Sequence, residues 1–507
     1  MTASKTITPE QFAASVADGA VVAVASSGGG LLEADVLLEA IEARFLATGH
    51  PNNLTMVSAL GFGDRDRKGM NRFANPGMTR RVICGHWGWS PRLQAMARAN
   101  EIEAYSLPGG VISMLLRASG AGHPGVFTKT GLGTFVDPAL QGGRINTAAR
   151  EDLVRRIEIG GETYLHYLPI RPDVAVIKGT FADERGNVSL AEEPADLDSY
   201  AVALAARNNG GQVVAQVRSH VATGSLMARE VTVPAALVSG VVVCPDQPQT
   251  RRGAYSIDYP GRHRSLATPA AEAATGAKRV IALRAAAELR QGASVNFGFG
   301  VSAAVYDIMV ERGEAMRYST TIEQGIHDGR LETTDLFGMA VSPNAIVPST
   351  HQFDFYQGGG IDITFLGMAE CDGHGNVNVS HFGEGFTGPG GFIDISQNAR
   401  KVVFCGTFDT RGSKVEVANG ALRILAPGAV QKLVGDVAGI TFSGEQARLS
   451  GQSVLYVTER AVFELTREGV ELIEVAEGID LQRDVLDRMG FAPIVHNPRP
   501  MPKECFQ

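Results

Sequence analysis

The sequence predicts an α/β fold in which two open-sheet domains of similar plan, related by duplication, follow one another along one chain. Two pairs of matching segments lead to this prediction. In each half an apolar strand runs into a glycine turn and a helix, and farther along another strand runs into a D-x-x-G-N turn. Alternation of strand, turn and helix is typical of a parallel sheet covered by helices.

The first half opens with a short helix and a buried strand. Thr8 is the expected N-cap, and Pro9 takes the first helical position. Gly19 ends this stretch, and the continuous apolar run at 20–25 predicts a strand that is buried on both faces. The turn SSGGG at 26–30 then leads into a second helical segment.

The same order of elements returns in the second half over residues 277–311, where Gly292 corresponds to Gly19. A closer match joins segments 173–190 and 362–379, which align without a gap. The identical pairs are Asp173 with Asp362, Asp183 with Asp372, Gly186 with Gly375, Asn187 with Asn376, and Val188 with Val377. Two matches in the same order indicate duplicated domains.

These landmarks divide the chain into three parts. We expect an N-terminal domain at 1–245, a linker at 246–274 and a C-terminal domain at 275–507. The linker is rich in Pro, Arg and Tyr and has no periodicity. Its arginines suit a phosphate, although a solvated basic loop is the commoner role: Arg251, Arg252, Arg262 and Arg264.

The first half is longer between its landmarks. From Gly19 to Asp173 there are 154 residues, against 70 from Gly292 to Asp362. The extra length covers about 54–143, and we expect these inserted loops to close over a site between the two domains.

Composition and charge exclude several function classes. Hydrophobic content of 44% and charged content of 20% are typical of a globular protein, and the net charge of -8 argues against nucleic acid or an anionic membrane as partner. The five scattered cysteines lack metal-ligand spacing, so we expect reduced thiols in a cytoplasmic protein. The first residues lack a signal-peptide pattern, and no apolar run approaches the ~18 residues of a membrane span.

The motifs of the commonest enzyme classes are missing. The eleven histidines form no HxH, HExxH or HxxxH pattern, so we predict no metal site. There is also no GxSxG elbow and no P-loop.

What remains is an isolated glutamate, Glu323, at the end of the strand-like run STTIE. In open α/β sheets the ligand crevice lies outside the carboxyl ends of the strands, so Glu323 should face that crevice. A carboxylate there can act as a covalent nucleophile. On this residue alone, however, a surface or capping role is the commoner outcome.

Longer motifs add to this pattern. They are GHWGWSP, PGVFTKTGLGTFVDPALQGG, TTIEQG, QFDFYQGGGIDITFLGMAECDGHGNVNVSHFG and GPGGFIDISQNARKVVFCGTF. In this order they resemble the family I CoA-transferases, specifically the single-chain acyl-CoA:acetate/propionate (3-oxoacid) type in which α and β halves are fused. The resemblance covers nearly the whole chain.

The resemblance implies a ping-pong mechanism with Glu323 as nucleophile. Glu323 would attack an acyl-CoA thioester to give a mixed anhydride, and the CoA thiolate would then leave a glutamyl-CoA thioester on the enzyme. A short-chain carboxylic acid would reverse these steps. Coenzyme A is thus expected as a substrate, with no bound cofactor, ATP or metal.

The resemblance also implies further site residues. Gly131 and Gly133 are the expected oxyanion donors, although an ordinary turn before Pro138 is the alternative. Asn378 is expected to orient the Glu323 adduct, with turn-building an equally good interpretation. The expected CoA contacts are Gly298, Phe299, Gly300, Val301, Ser302, Gly390 and Gly391.

Three other residues are interpreted as structural, and two more leave the acyl specificity open. Trp87 and Trp89 are expected to pack in the core or wall, and His86 to be a satisfied polar residue and not a base. His327 and Asp328 stand where relatives often carry a glycine pair, so the acyl preference is left open and an electrostatic effect on Glu323 is considered.

Alternative functions remain at this point. Water could intercept the glutamyl adduct, which would make the chain an acyl-CoA hydrolase. The chain could also be an acyl-carrier transferase subunit of a lyase, or a ligand sensor of the same fold, although no helix-turn-helix is visible. The resemblance further implies a homo-oligomer, with a tetramer expected.

Overall fold

The computed structural model describes residues 5–251, 253–263, 274–383 and 385–507. Two open sheets packed against helices form the two halves, which confirms the predicted α/β fold class. Within these ranges no helix is long and apolar enough to cross a membrane.

The first half is built on a nine-stranded sheet. Its parallel strands lie in the order Glu103–Ser106, Thr79–Cys84, Leu54–Ser58, Val21–Val24, Val174–Asp183, Gln212–Val221 and Gly240–Val243. Val188–Ser189 and Val231–Val233 extend it in antiparallel fashion. A separate three-stranded sheet comprises Val126–Thr128, Glu162–Tyr167 and Val154–Ile159. The helices are Pro9–Ser15, Asp35–Thr48, Pro91–Arg98, Gly109–Gly120 and Ser199–Asn208.

The second half is built on a ten-stranded sheet. The strand order is Ala345–Ile346, Ile326–His327, Ser319–Ile322, Ser294–Phe297, Ile363–Gly367, Lys401–Cys405, Ser453–Val457, Ala461–Leu465, Val470–Val475 and Arg499–Pro500. The strands from Ser319–Ile322 to Ser453–Val457 are parallel. The helices are Gly276–Ala286, Ala304–Glu311, Ser349–Gln357, Phe392–Asn398 and Gly444–Ser450.

Short antiparallel ribbons complete the second half. They pair Arg330–Leu331 with Ala340–Val341, Glu370–Cys371 with Val377–Asn378, His381–Phe382 with Gly385–Phe386, Asp409–Thr410 with Val430–Gln431, and Lys414–Ala418 with Ala421–Ala426.

The first matched aspartates have the same structural role in the two halves. Asp173 accepts a hydrogen bond from the N–H of Val21 at 2.8 Å, and Asp362 accepts one from the N–H of Ser294 at 2.9 Å. Each bond ties the start of one central strand to its neighbour. The D-x-x-G-N turns also match, because Asp183 and Asp372 each accept from the backbone N–H four residues later. This agreement supports duplication.

Part of the expected linker packs closely on the first half. Gln247 and Gln249 are buried, and the buried Lys178 donates to the carbonyl of Pro248 at 2.7 Å. Arg251 pairs with the buried Glu33.

The other linker arginines divide into two groups. Arg262 pairs with Glu230 at 2.9 Å, so it too is engaged in an ion pair. Arg252 and Arg264, and with them the phosphate hypothesis at those positions, lie outside the described residues, as does 264–273 of the linker.

The two halves share a buried contact close to the end of the second sheet. The helix Gly109–Gly120 of the first half packs against the helix Ser349–Gln357 of the second. A Cβ added at Gly110 would collide with the ring of the buried Phe353, so these helices approach as closely as glycine allows. The contact fixes the halves on either side of a cavity.

Candidate active site

Glu323 follows directly after the strand Ser319–Ile322, at its carboxyl end. Thr320, Thr321 and Ile322 are buried in the sheet, as their β-branched side chains favour. Gly325 closes the turn with φ +92°, and a Cβ there would collide with the carbonyl of Val347. The turn therefore requires glycine and holds the glutamate at the sheet edge.

Glu323 lines a cavity of about 430 Å³ between the two halves. The first half contributes Ser27, Gly28, Leu60, Arg65, His86 and Trp89. The second half contributes Gly298, Phe299, Gln324, Phe337, Gly390 and Gly391. Leu60, Arg65, His86 and Trp89 come from the inserted segment 54–143, which thus reaches the cavity.

The Glu323 carboxylate is held by two neighbours. The side-chain amide of Gln324 donates to its Oε1 at 3.2 Å, and the N–H of Gly391 also donates to the carboxylate. A Cβ at Gly391 would overlap the Glu323 Oε2 atom. Only glycine at 391 leaves room for the carboxylate.

Burial changes the protonation of this carboxyl group. Loss of hydration raises the pKa of Glu323 to about 7, although the hydrogen bonds from Gly391 and Gln324 act in the opposite direction. Asp394, buried behind it on the helix Phe392–Asn398, has its pKa raised by burial to about 7 as well. It accepts from the N–H of Gly110 at 3.0 Å and from Gln357 at 2.8 Å.

The glycine loop over Glu323 is fastened to the first half by its backbone. The N–H of Gly390 donates to the carbonyl of Gly85 at 2.8 Å, and the N–H of Gly109 donates to the carbonyl of Gly390 at 2.7 Å. The position of the loop, and with it the space around Glu323, therefore depends on both halves.

His86 and Trp89 both face the cavity, whereas Trp87 is buried in the core. The guanidinium of Arg65 lies over the Trp89 ring at 4.3 Å and reaches Asp335 at 3.4 Å. Trp89 is thus a wall, as expected. His86 is partly buried, and desolvation together with Arg65 lowers its pKa to about 4. This shift favours the neutral form of the ring, and the expectation that His86 is not a base stays a prediction.

Four of the seven residues expected to contact CoA line the cavity together with Glu323. They are Gly298, Phe299, Gly390 and Gly391. Gly300, Val301 and Ser302 do not line it; they form the turn before the helix Ala304–Glu311, where the Ser302 hydroxyl donates to the carbonyl of Phe299 at 3.3 Å. Their positions do not support direct contact with a ligand in this cavity.

Gly131 and Gly133 do not line the cavity around Glu323, so the structure does not support the expected oxyanion role. The N–H of Gly131 donates to Gln397 at 2.7 Å and the N–H of Gly133 donates to Asp137 at 2.8 Å. Amides already engaged in this way, outside the cavity, are not free to hold an oxyanion there.

Asn378 is buried and also does not line the cavity. Its amide donates to Glu370 and to the carbonyl of His381, and its oxygen accepts from the N–H groups of Ser380 and His381. The turn-building interpretation fits these contacts better than a role beside Glu323.

Two residues that follow Glu323, His327 and Asp328, have structural contacts. Asp328 accepts from the N–H of Thr320 at 2.9 Å and from Asn344 at 2.8 Å, and the His327 ring lies against Phe355. Neither residue lines the cavity. They complete the turn that carries Glu323.

Sequence reasoning missed Ser27, Gly28, Leu60, Arg65, Gln324 and Phe337. A signal existed for the first two, because the turn SSGGG follows the first central strand as the turn containing Gly298 follows its counterpart. The others reach the cavity through loops whose path has no sequence periodicity. Within the described residues no group of three or more His, Cys, Asp or Glu side chains is placed to hold a metal ion.

Similarity to known proteins agrees with this geometry. Residues 6–244 match the family model for coenzyme A transferase. The chain is 40% identical to acetate CoA-transferase YdiF of Escherichia coli O157:H7 over 95% of this chain and 91% of that one. It is also 40% identical to caffeate CoA-transferase of Acetobacterium woodii, over 97% and 95%. The crystal structure of YdiF acyl-CoA transferase from E. coli O157:H7, a thioester complex with CoA, matches with a TM-score of 0.94 at 38% identity, over 99% and 96%.

The chain is therefore a transferase. It belongs to the coenzyme A transferase family and transfers CoA between an acyl-CoA and a carboxylic acid.

Proposed function

We propose that the transfer proceeds through covalent intermediates on Glu323, with a short-chain carboxylic acid as acceptor. The observation that carries this proposal is the Glu323 carboxylate, which lies in a cavity shared by both halves, under Gly391. A carboxylate in this position can attack an acyl group, and the resulting anhydride stays reactive enough to pass the group on.

In the first half-reaction a carboxylate oxygen of Glu323 attacks the thioester carbonyl carbon. The C–S bond breaks, CoA leaves as a thiolate, and a mixed anhydride remains. The thiolate then attacks the glutamyl carbonyl, which releases the first carboxylate and leaves glutamyl-CoA. The acceptor acid repeats these steps in reverse. Anhydride and thioester exchange without an external energy source.

The cavity suggests where each substrate part lies. The second half would meet the thiol end of CoA through Gly298, Phe299, Gly390 and Gly391. The first half, with Leu60 and Trp89 as walls, would enclose the acyl end. Acetate and caffeate in the names of two relatives support a carboxylic acid as acceptor.

The proposal also covers the domain organisation, the cellular compartment and the oligomeric state. We retain domains at 1–245 and 275–507 joined by 246–274, since the two sheets lie on either side of that segment. Five free cysteines favour a reducing compartment such as the cytoplasm. A homotetramer is proposed from the family resemblance, and light scattering measures it directly.

Intact-mass spectrometry after incubation with acetyl-CoA tests the function. The proposal predicts a stable adduct with the mass of CoA less one water, which free acetate discharges. An adduct that water discharges equally fast, without any acceptor acid, would favour hydrolysis. No adduct at all would contradict the proposal and favour a sensor or a carrier-protein enzyme.

A further inference from the structure

A permanent positive charge faces the cavity around Glu323. Among the described residues that line this cavity, Arg65 and Glu323 are the two that carry charge near neutral pH, because burial and Arg65 lower the pKa of His86 to about 4. We propose that the guanidinium of Arg65 binds the carboxylate of the acceptor acid and presents it to the glutamyl-CoA intermediate. This inference rests on the proposed role of Glu323 as nucleophile.

The charge of the cavity lining changes during the proposed reaction. In the free enzyme the Glu323 carboxylate opposes the positive charge of Arg65. In glutamyl-CoA the same glutamyl side chain is a neutral thioester, so the lining keeps only the positive charge of Arg65. A carboxylate is therefore favoured in the cavity at the stage when the acceptor acid has to enter.

The turn at 64–68 holds the Arg65 side chain against the cavity wall. The Asp64 carboxylate accepts from the N–H groups of residues 66–68, at 2.9, 2.8 and 2.8 Å. Arg65 has φ +65°, which is uncommon for a residue other than glycine, and its N–H donates to the carbonyl of Trp89 at 3.1 Å. The guanidinium then lies over the Trp89 ring at 4.3 Å. Backbone and side chain thus both attach to the same tryptophan.

The Trp89 wall is close to the residues that hold Glu323. A Cβ at Gly28 would lie 3.8 Å from the Cζ2 atom of Trp89. The next residue back, Ser27, accepts from the amide of Gln324 at 3.3 Å, and this amide also donates to Glu323 at 3.2 Å. The wall is the one proposed to enclose the acyl end. A guanidinium held against it lies where the acceptor acid has to be placed.

The guanidinium is accessible to a ligand. In the part of the chain that the structure describes, Asp335 is the acidic side chain paired with Arg65, at 3.4 Å, and the two side chains are 53% and 57% exposed. An exposed ion pair of this length is weak, so a substrate carboxylate can displace Asp335 or share the cation with it. A guanidinium also offers a carboxylate two parallel N–H donors, which an ammonium group does not.

Neutral donors line the same cavity, but they do not select an ionised acid. The hydroxyl of Ser27 and the indole N–H of Trp89 can donate to a thioester, a water molecule or a carboxylate alike. The positive charge favours the carboxylate over the neutral molecules. The preference for an acid over water as acceptor is therefore assigned to Arg65.

Discharge of the intermediate by an acid needs no proton transfer. An oxygen of the bound carboxylate attacks the glutamyl carbonyl carbon, the C–S bond breaks, and the electron pair leaves with the CoA thiolate. Hydroxylamine attacks the same carbonyl through its nitrogen and gives a glutamyl hydroxamate and CoA, with the proton passing from nitrogen to the thiolate. Hydroxylamine is uncharged at neutral pH, so its reaction does not need the cation.

The test follows the discharge of glutamyl-CoA enzyme, freed of acyl-CoA by desalting, through its intact mass. The intermediate is prepared with excess acetyl-CoA, because its formation is the reverse of the acetate step and slows with it. In Arg65→Met the rate at low acetate concentration is expected to fall about 10–100-fold, since charge-assisted hydrogen bonds are lost. Discharge by hydroxylamine is expected to be unchanged. Arg65→Lys keeps the charge and should lose less than Arg65→Met.

The matched control lies on the same turn. Arg67 is exposed and does not line the cavity, so Arg67→Met should discharge with acetate as fast as the unmutated enzyme. It removes an equal charge from the same loop. A loss in this control as large as that in Arg65→Met would overturn the assignment to Arg65.

Removing the competing carboxylate should have the opposite effect. Asp335→Asn leaves the guanidinium free of its ion-pair partner, so discharge at low acetate concentration is expected to rise about 2–5-fold. Hydroxylamine discharge should not change, and the rise should disappear in the Arg65→Met background. A gain of this kind cannot result from damaged folding. Failure of the acetate rate to rise would contradict the proposed competition for Arg65.

Each other outcome also overturns the assignment. Unchanged acetate discharge in Arg65→Met would remove Arg65 from acid binding while the Glu323 chemistry stands. Equal losses with acetate and with hydroxylamine would mean that Arg65 only supports the shape of the cavity. Failure of the unmutated enzyme to form glutamyl-CoA would overturn the proposed function and this inference together.

Discussion

The two halves of the molecule share a scaffold and differ at the end of one strand. Val21 pairs in register with Thr55, and its counterpart Ser294 pairs with Ser319. Four residues beyond these partners stand Ala59 in the first half and Glu323 in the second. The same sheet edge thus carries a buried methyl group in one copy and a carboxylate in the other.

This difference shows that the two halves of a duplicated fold contribute different parts of one site. In the second half a glycine turn leaves the strand end open and places a carboxylate there. In the first half the strand end is closed, because Gly85 and Gly109 pack against the carbonyl of Ala59. Inserted loops then carry Leu60, His86 and Trp89 to the cavity. The second half supplies Glu323, the proposed nucleophile, and the first half supplies much of the cavity around it.

The largest loss of activity is expected from removing the Glu323 carboxylate, the group by which the two strand ends differ. Glu323→Gln keeps the shape of the side chain but cannot attack a thioester, so activity is expected to fall by about 10⁴-fold or more. Steady-state CoA transfer measures this change. Glu311→Gln, on a surface glutamate paired with Arg279, is the control and should keep full activity. Substantial turnover in Glu323→Gln would contradict the covalent role of this carboxylate, and the two strand ends would then not differ in function.

The next effect concerns the space above the nucleophile. Gly391→Ala places a methyl group on the Glu323 carboxylate, and the displaced nucleophile is expected to lose about 10²-fold in kcat/KM. Gly435→Ala is a suitable control, because a Cβ there meets its nearest neighbour only at 3.5 Å. Unchanged kinetics in Gly391→Ala would contradict the position given to the carboxylate.

The pH profile tests the environment of the strand end. Because burial raises the pKa of Glu323 to about 7, the reactive carboxylate predominates above that pH and is lost below it. We expect kcat/KM for acyl-CoA to fall about tenfold per pH unit below about 7. Gln324→Ala removes a bond that lowers this pKa, so the midpoint should move to higher pH. A profile that is flat down to pH 5 would contradict the buried carboxylate.

The smallest effect is expected on stability, from the asparagine of the D-x-x-G-N turn that both halves contain. Asn187 and Asn376 each donate to the aspartate of their turn and accept a backbone N–H from a distant segment, Ala235 in one case and Gly444 in the other. Replacing either by alanine is expected to cost about 2 kcal/mol of stability. In Tm this is about 4–8 °C for a domain of this size. Thermal melting that shows a loss in only one variant would argue against equivalent roles.

The parts of the fold that were predicted correctly depend on local pattern. Apolar strands, glycine turns and helix starts occur in a fixed order, and the matched Asp and Asn residues indicate the duplication. Glu323 was identified at a strand end because a parallel sheet places its crevice there. The order of these elements and the strand-end position of Glu323 depend on residues that are close together in the sequence.

The missed features depend on contacts that are distant along the chain. The N–H of Gly131 donates to Gln397, a residue far along the sequence. No local pattern therefore shows that this N–H is unavailable to an oxyanion. Arg65 and Phe337 reach the cavity only through the packing of the two halves. The place of His86 beside Gly88 and Gly390 likewise depends on contacts between segments that are distant along the chain.

The most direct test of the central claim is the location of the CoA adduct. After incubation with acyl-CoA and rapid proteolysis at low pH, peptide mass spectrometry should find the adduct on the peptide containing Glu323, at that side chain. An adduct on any other residue, or turnover with no covalent adduct during the reaction, would contradict the account.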